Sequence, residues 1–160
     1  MEEVVLDSSV IVKAVLRPGR WLPSEVYERE LETHDKAGAL IKSLRERQLR
    51  VLIPYPVLVE TAAVIARLSG RELAAKVVES LRSTRNYVIV YEEAYRDKAL
   101  EVALTTGSSG LDAYVIALAW SRGALLVTDD EPMSKHAEVL GVNVALLRKM
   151  SLEELLHKLL

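Results

Sequence analysis

Val4-Val5-Leu6-Asp7-Ser8-Ser9-Val10-Ile11-Val12 is the stretch whose reading decides the fold. Three apolar residues in a row read as a short buried strand, and Asp-Ser-Ser behind them opens a helix, because a side-chain oxygen there can accept from the unpaired N–H groups of the first turn. A strand that ends in a carboxylate is unusual enough to follow. In an open parallel sheet, ligands bind outside the carboxyl ends of the strands, so Asp7 is expected to face a crevice rather than the core.

Working outward, the same punctuation recurs. Short apolar runs at residues 51–53, 87–90, 125–127 and 142–146 read as four further strands, each separated from the last by helical periodicity. Residues 25–48 carry Tyr27, Leu31, Ala37, Ile41 and Leu44 at helical spacing among many charges, as one amphipathic helix or a pair broken near Thr33 or Gly38. Pro54 and Pro56 are expected to mark a loop, and residues 57–68 a deeply packed helix, apolar almost all round. A helix over 71–81, another over 92–104, the break Gly107-Ser108-Ser109-Gly110, an apolar helix over 111–121 and a short one over 133–140 complete the alternation. Ser151 and Glu154 form a capping box before a last helix. Strands alternating with helices predict an α/β protein, a three-layer sandwich with a central, mainly parallel five-stranded sheet flanked by helices.

Composition limits the function classes. With 160 residues, half of them apolar, the chain is expected to form a single domain over residues 1–160. Lys and Arg number 21 against 23 acids, so any nucleic-acid partner must be met by a local patch and not by a global basic field. The absence of Cys removes disulfides, thiolate catalysis and Cys-ligated zinc. No apolar run approaches the roughly 18 residues that span a bilayer, and Met-Glu-Glu leads straight into a strand without the form of a signal peptide. The expectation is a soluble, cytoplasmic protein with no membrane partner.

Four carboxylates sit where a solvated charge is not expected. Asp7 and the pair Asp129-Asp130 each follow an apolar strand. Glu60 lies inside an apolar helix with no Lys or Arg three or four residues away, and Asp112 stands at the start of another. Each has an ordinary reading: Asp7 and Asp112 as helix caps, Asp129 and Asp130 as turn residues, Glu60 as half of a buried ion pair. Gathered at one edge of a sheet, such acids repel one another unless a cation sits among them, and hard divalent ions such as Mg²⁺ or Mn²⁺ take oxygen ligands. His34, His136 and His157 lie in charged surroundings and read as surface residues, which makes zinc a poor fit.

These residues carry a family resemblance. VVLDSSVIVKAVL around Asp7, PYPVLVETAAVIARL around Glu60 and GSSGLDAYVIALAWSRGALLVTDDEPM around Asp112 and Asp130 follow one another in the order found in PIN-domain ribonucleases, and the chain is most similar to the VapC-type toxins of prokaryotic toxin-antitoxin systems. The resemblance covers nearly the whole chain and places the motif acids on Asp7, Glu60, Asp112 and Asp130, with Ser9 and Thr128 at the supporting hydroxyl positions. Asp129 is an additional acid beside the fourth motif, and the segment over 20–48 is long for a compact member.

What the resemblance implies is a metal-dependent endoribonuclease in which the four acids hold one or two Mg²⁺ or Mn²⁺ ions, an RNA substrate, a homodimer and a cognate antitoxin that covers the site. Lys13, Arg17 and Arg20, clustered beyond Asp7 on the first helix and turn, are candidates for phosphate contact. For the dimer, the apolar Leu58, Val59, Ala62 and Ile65, on faces of their helix away from Glu60, exceed what one sheet needs. Two alternatives come from other classes: a PIN fold that binds without catalysis, and a haloacid-dehalogenase-type phosphatase, which needs a second Asp where this chain has Ser9.

Overall fold

The structure is a computed structural model that describes residues 2–159. Its centre is a fully parallel sheet of five strands: β1 (Glu3–Leu6), β2 (Arg50–Pro54), β3 (Tyr87–Val90), β4 (Leu125–Thr128) and β5 (Val144–Leu146), in the order β3-β2-β1-β4-β5. Leu6 pairs with Val127 and Val5 with both Leu52 and Leu126, so the strand that ends in Asp7 is the innermost one. Val4, Val5 and Leu6 are essentially sealed from solvent, as are Leu126 and Val127 beside them. Central parallel strands covered on both faces lose polar–apolar alternation and read as the continuous apolar runs seen in the sequence.

Among the described residues, eight α-helices surround this sheet: α1 (Ser8–Val15), α2 (Ser24–Glu46), α3 (Tyr55–Ser69), α4 (Arg71–Ser83), α5 (Arg96–Thr106), α6 (Gly110–Arg122), α7 (Glu131–Val139) and α8 (Leu152–Lys158). The result is the expected three-layer α/β sandwich. α6 packs on β1, β2 and β4 and against α5, which explains why Val115 through Ala119 are buried in succession with no polar face. The capping box of α8 is present, with both reciprocal bonds between Ser151 and Glu154. No single helix among the described residues is long and apolar enough to cross a membrane.

Several local expectations need correction. Residues 24–46 form one unbroken helix. The Thr33 hydroxyl bonds back to the Arg29 carbonyl at 3.0 Å and Gly38 faces open space. A mid-helix glycine costs only about 1 kcal/mol relative to alanine, too little to break a helix anchored by buried Ala37, Leu40 and Leu44. The two prolines do not make a loop: Pro54 ends β2 and Pro56 sits in the first turn of α3, where a missing N–H is harmless.

α3 is not deeply packed all round, since Val59 and Leu68 are mostly exposed while Val57, Leu58, Thr61 and Ile65 alone are buried. Of the four apolar residues assigned to a dimer face, Leu58 and Ile65 therefore belong to the core, and only Val59 is well exposed. β5 begins at Val144, two residues later than expected. His34 and His136 are half-buried, not superficial: His34 Nδ1 lies 2.6 Å from the Lys13 carbonyl oxygen and ties α2 to α1.

Candidate active site

The strand order places a topological switch between β1 and β4, where successive connections leave in opposite directions and a crevice opens beyond the carboxyl ends. Asp7 follows β1 at this point, and Thr128, Asp129 and Asp130 follow β4. Asp7 occupies the cap position of α1 but makes no side-chain capping bond. Its Oδ2 instead accepts from the Ser9 hydroxyl at 2.7 Å and the Thr128 hydroxyl at 2.9 Å. Those hydroxyls accept in turn from the backbone, Ser9 from the Asp129 N–H and Thr128 from the Asp130 N–H. Ser9 and Thr128 thus join α1 to the β4 turn through Asp7.

Glu60 and Asp112 lie on helices. Glu60, on the second turn of α3, meets no distant arginine; the Ser8 hydroxyl donates to its Oε2 at 2.5 Å, one residue from Asp7. Asp112 is not the cap of α6, because Ser109 fills that role by accepting from the Asp112 N–H. Asp130 does cap α7: its Oδ1 accepts from the Met133 N–H at 2.9 Å. Asp129, next to it, points the other way, into a bidentate pair with Arg148 at 2.8 and 3.1 Å, and only 1% of its side chain is exposed. The additional acid is therefore a structural partner of Arg148, which fastens the 3-10 turn Leu147–Lys149 to the end of β4.

Electrostatics join the four remaining acids. Burial pushes the Asp7 carboxyl above its usual range, Asp130 adds to this, and the bonds from Ser9 and Thr128 partly offset it. Asp112 is pushed up to about 6, first by burial and then by the negative charges of Asp130, Asp7 and Glu60. A carboxylate that feels three others lacks a counter-charge. The donor set is all oxygen and suits Mg²⁺ or Mn²⁺. Among the described residues, no three acidic or histidine side chains are drawn together closely enough to enclose an ion as they stand. The fit is one of charge and donor chemistry.

The basic candidates divide. Lys13 is ion-paired to Glu30 on α2; burial would raise Glu30, but the Lys13 ammonium outweighs it and holds the carboxyl below the usual range. Arg17 and Arg20 are exposed on the turn beyond.

The family model of the PIN domain matches residues 4–139. The chain belongs to the PIN domain family. Solved structures share the fold: VapC20 of Mycobacterium tuberculosis, a sarcin-ricin loop cleaving toxin, at 18% identity over 82% of this chain and 93% of its own, with a TM-score of 0.63. VapBC2 from Rickettsia felis, bound to a promoter DNA fragment, gives 15% identity, coverage of 89% and 97%, and a TM-score of 0.60. FitAcB from Neisseria gonorrhoeae gives 20%, 92% and 99%, and 0.56. At such identities the likeness is one of fold. No curated protein matches the chain.

For a PIN domain, three site features escaped sequence reasoning. The Ser8–Glu60 bond, the Asp129–Arg148 pair and the Lys13–Glu30 pair join residues 52, 19 and 17 positions apart. Only the doubled serine at Ser8-Ser9 was a visible signal.

Proposed function

We propose that this PIN domain is a metal-dependent endoribonuclease, acting in the cytoplasm as the toxin of a toxin-antitoxin pair. The observation that carries the reading is that Asp112 faces the charges of Asp130, Asp7 and Glu60 at the switch point of the sheet, and that among the described residues none of the four is ion-paired to a lysine or arginine. Asp7, Glu60, Asp112 and Asp130 are the groups that would hold Mg²⁺ or Mn²⁺, which when bound polarises a phosphodiester oxygen and acidifies water for in-line attack. Ser9 and Thr128 orient Asp7 and favour its ionised form. Asp130 is fixed through its Oδ1 by the first turn of α7, so Oδ2 remains for the site.

RNA approaches along the exposed Arg17 and Arg20, which contact phosphate without reading sequence, while Lys13 stays committed to Glu30. An apolar groove between α1 and α2, walled by Val12, Leu16, Leu22 and Val26 and ending at the exposed Leu68, receives the antitoxin. Exposed Val59 on α3 and Leu100 and Leu104 on α5 support a homodimer.

The test is cleavage of a panel of structured and single-stranded RNAs with Mg²⁺ or Mn²⁺. Cleavage that stops with a chelator and returns with added ion supports the reading. Cleavage unaffected by chelator, or an Asp7→Asn protein as active as wild type, would exclude it.

A further inference from the structure

Ser8 and Ser9 are consecutive, yet their hydroxyls serve different acids. Ser9 donates to Asp7 and belongs to the network with β4. Ser8, at the first helical position of α1, donates to Glu60 Oε2 at 2.5 Å. Neighbouring residues on a helix point about 100° apart, so one hydroxyl cannot do both tasks. Ser8 is only 7% exposed, and its hydroxyl is spent on this one bond across to α3.

We infer that Ser8 is a positioning residue for Glu60: its hydroxyl fixes the carboxylate of α3 beside Asp7 and so completes the ion-holding set. This rests on the ion-dependent reading given above. Glutamate has three rotatable side-chain bonds, and without a partner its carboxylate samples orientations that leave the crevice. Groups that orient a metal ligand without touching the metal typically cost 10–100-fold in affinity when removed.

The experiment measures Mn²⁺ binding by calorimetry and by the loss of free Mn²⁺ signal in electron paramagnetic resonance, on full-length wild type, Ser8→Ala, Ser8→Thr, Glu60→Gln and the double variant Ser8→Ala/Glu60→Gln. Ser8→Ala is expected to weaken binding about tenfold, and Ser8→Thr, which keeps the hydroxyl, to restore most of it. The double variant should bind no more weakly than Glu60→Gln alone, because Ser8 acts only through Glu60. Wild-type affinity in Ser8→Ala, or a Ser8→Ala loss that persists in full on the Glu60→Gln background, overturns the inference. If Ser8→Ala is poorly folded, Ser8→Thr against Glu60→Gln decides: a folded Ser8→Thr protein that binds Mn²⁺ no better than Glu60→Gln also overturns it. A wild type that takes up no Mn²⁺ brings down the ion-dependent reading itself, and this inference with it.

Discussion

The two ends of the sheet treat acidic residues in opposite ways. At the amino end, Glu3 begins β1 and is gripped by Arg122 through bonds of 2.8 and 2.5 Å, with Arg50 at 3.5 Å; the Arg122 bond holds its carboxyl below the usual range against a smaller effect of burial. At the carboxyl end, Asp7 finds hydroxyls and the Ser8 N–H but no cation, and both it and Asp112 are raised. The same strand thus starts on an acid with cations and ends on an acid without them. An acid matched by arginines holds elements together, whereas acids facing one another are poised for a cation from outside. Asp129 follows the first pattern although it adjoins Asp130, since Arg148 neutralises it.

The largest expected break in this comparison is catalytic. Asp7→Asn should lower RNA cleavage by about two to three orders of magnitude, the scale for losing one preorganised electrostatic contact, while Glu3→Gln leaves kcat unchanged. Equal losses in single-turnover assays would show that the two ends do not differ in the way described.

Next comes stability at Asp129. Arg148→Ala strands a buried carboxylate; breaking a buried pair costs about 3–5 kcal/mol, and the partial exposure of Arg148 brings this to about 2 kcal/mol. Urea melts should show that loss, and Arg148→Ala combined with Asp129→Asn should recover much of it. A single variant as stable as wild type would mean the pair is not structural.

A smaller effect concerns pH. The folded value of Asp112, about 6, lies above the ordinary 3.8, so its charge weakens the native state at neutral pH, and the penalty is relieved as pH falls through 6 toward the unfolded value. At about 1.4 kcal/mol per unit the full penalty is about 3 kcal/mol, and solvent screening of this partly exposed group reduces it to about 1.5 kcal/mol. Without divalent ions, wild type should therefore melt higher at pH 5.5 than at pH 7.5, and Asp112→Asn should be stabilised at pH 7.5 and lose much of that slope. A wild-type slope of the opposite sign would count against facing, uncompensated acids.

The smallest effect is at the amino end. Glu3→Gln should cost about 1 kcal/mol or less, as for partly exposed pairs, and only above the pH where the glutamate ionises; below that the two proteins should melt together.

Much of this was legible in the sequence. The strands announced themselves because a parallel sheet buries both faces, and Glu60 stood out because it had no cation within one helical turn. What stayed hidden was pairing at a distance. Nothing near Asp129 pointed to Arg148, and nothing near Lys13 to Glu30. The outer face of α3 misled because apolar sequence does not by itself say which side meets the sheet. The length of α2 misled because Thr33 satisfies its own hydroxyl within the helix.

The hydroxyls around Asp7 divide its two oxygens. Each carries a single proton and accepts a backbone N–H on its oxygen, and both protons go to Oδ2, neither to Oδ1. One oxygen is tied to the fold by both hydroxyls, and the other takes neither. Asp7 can therefore gain or release a partner at Oδ1, a proton or an ion, without disturbing the bonds that join α1 to the β4 turn. Support of Asp7 by the fold and occupation of its other oxygen thus draw on different lone pairs.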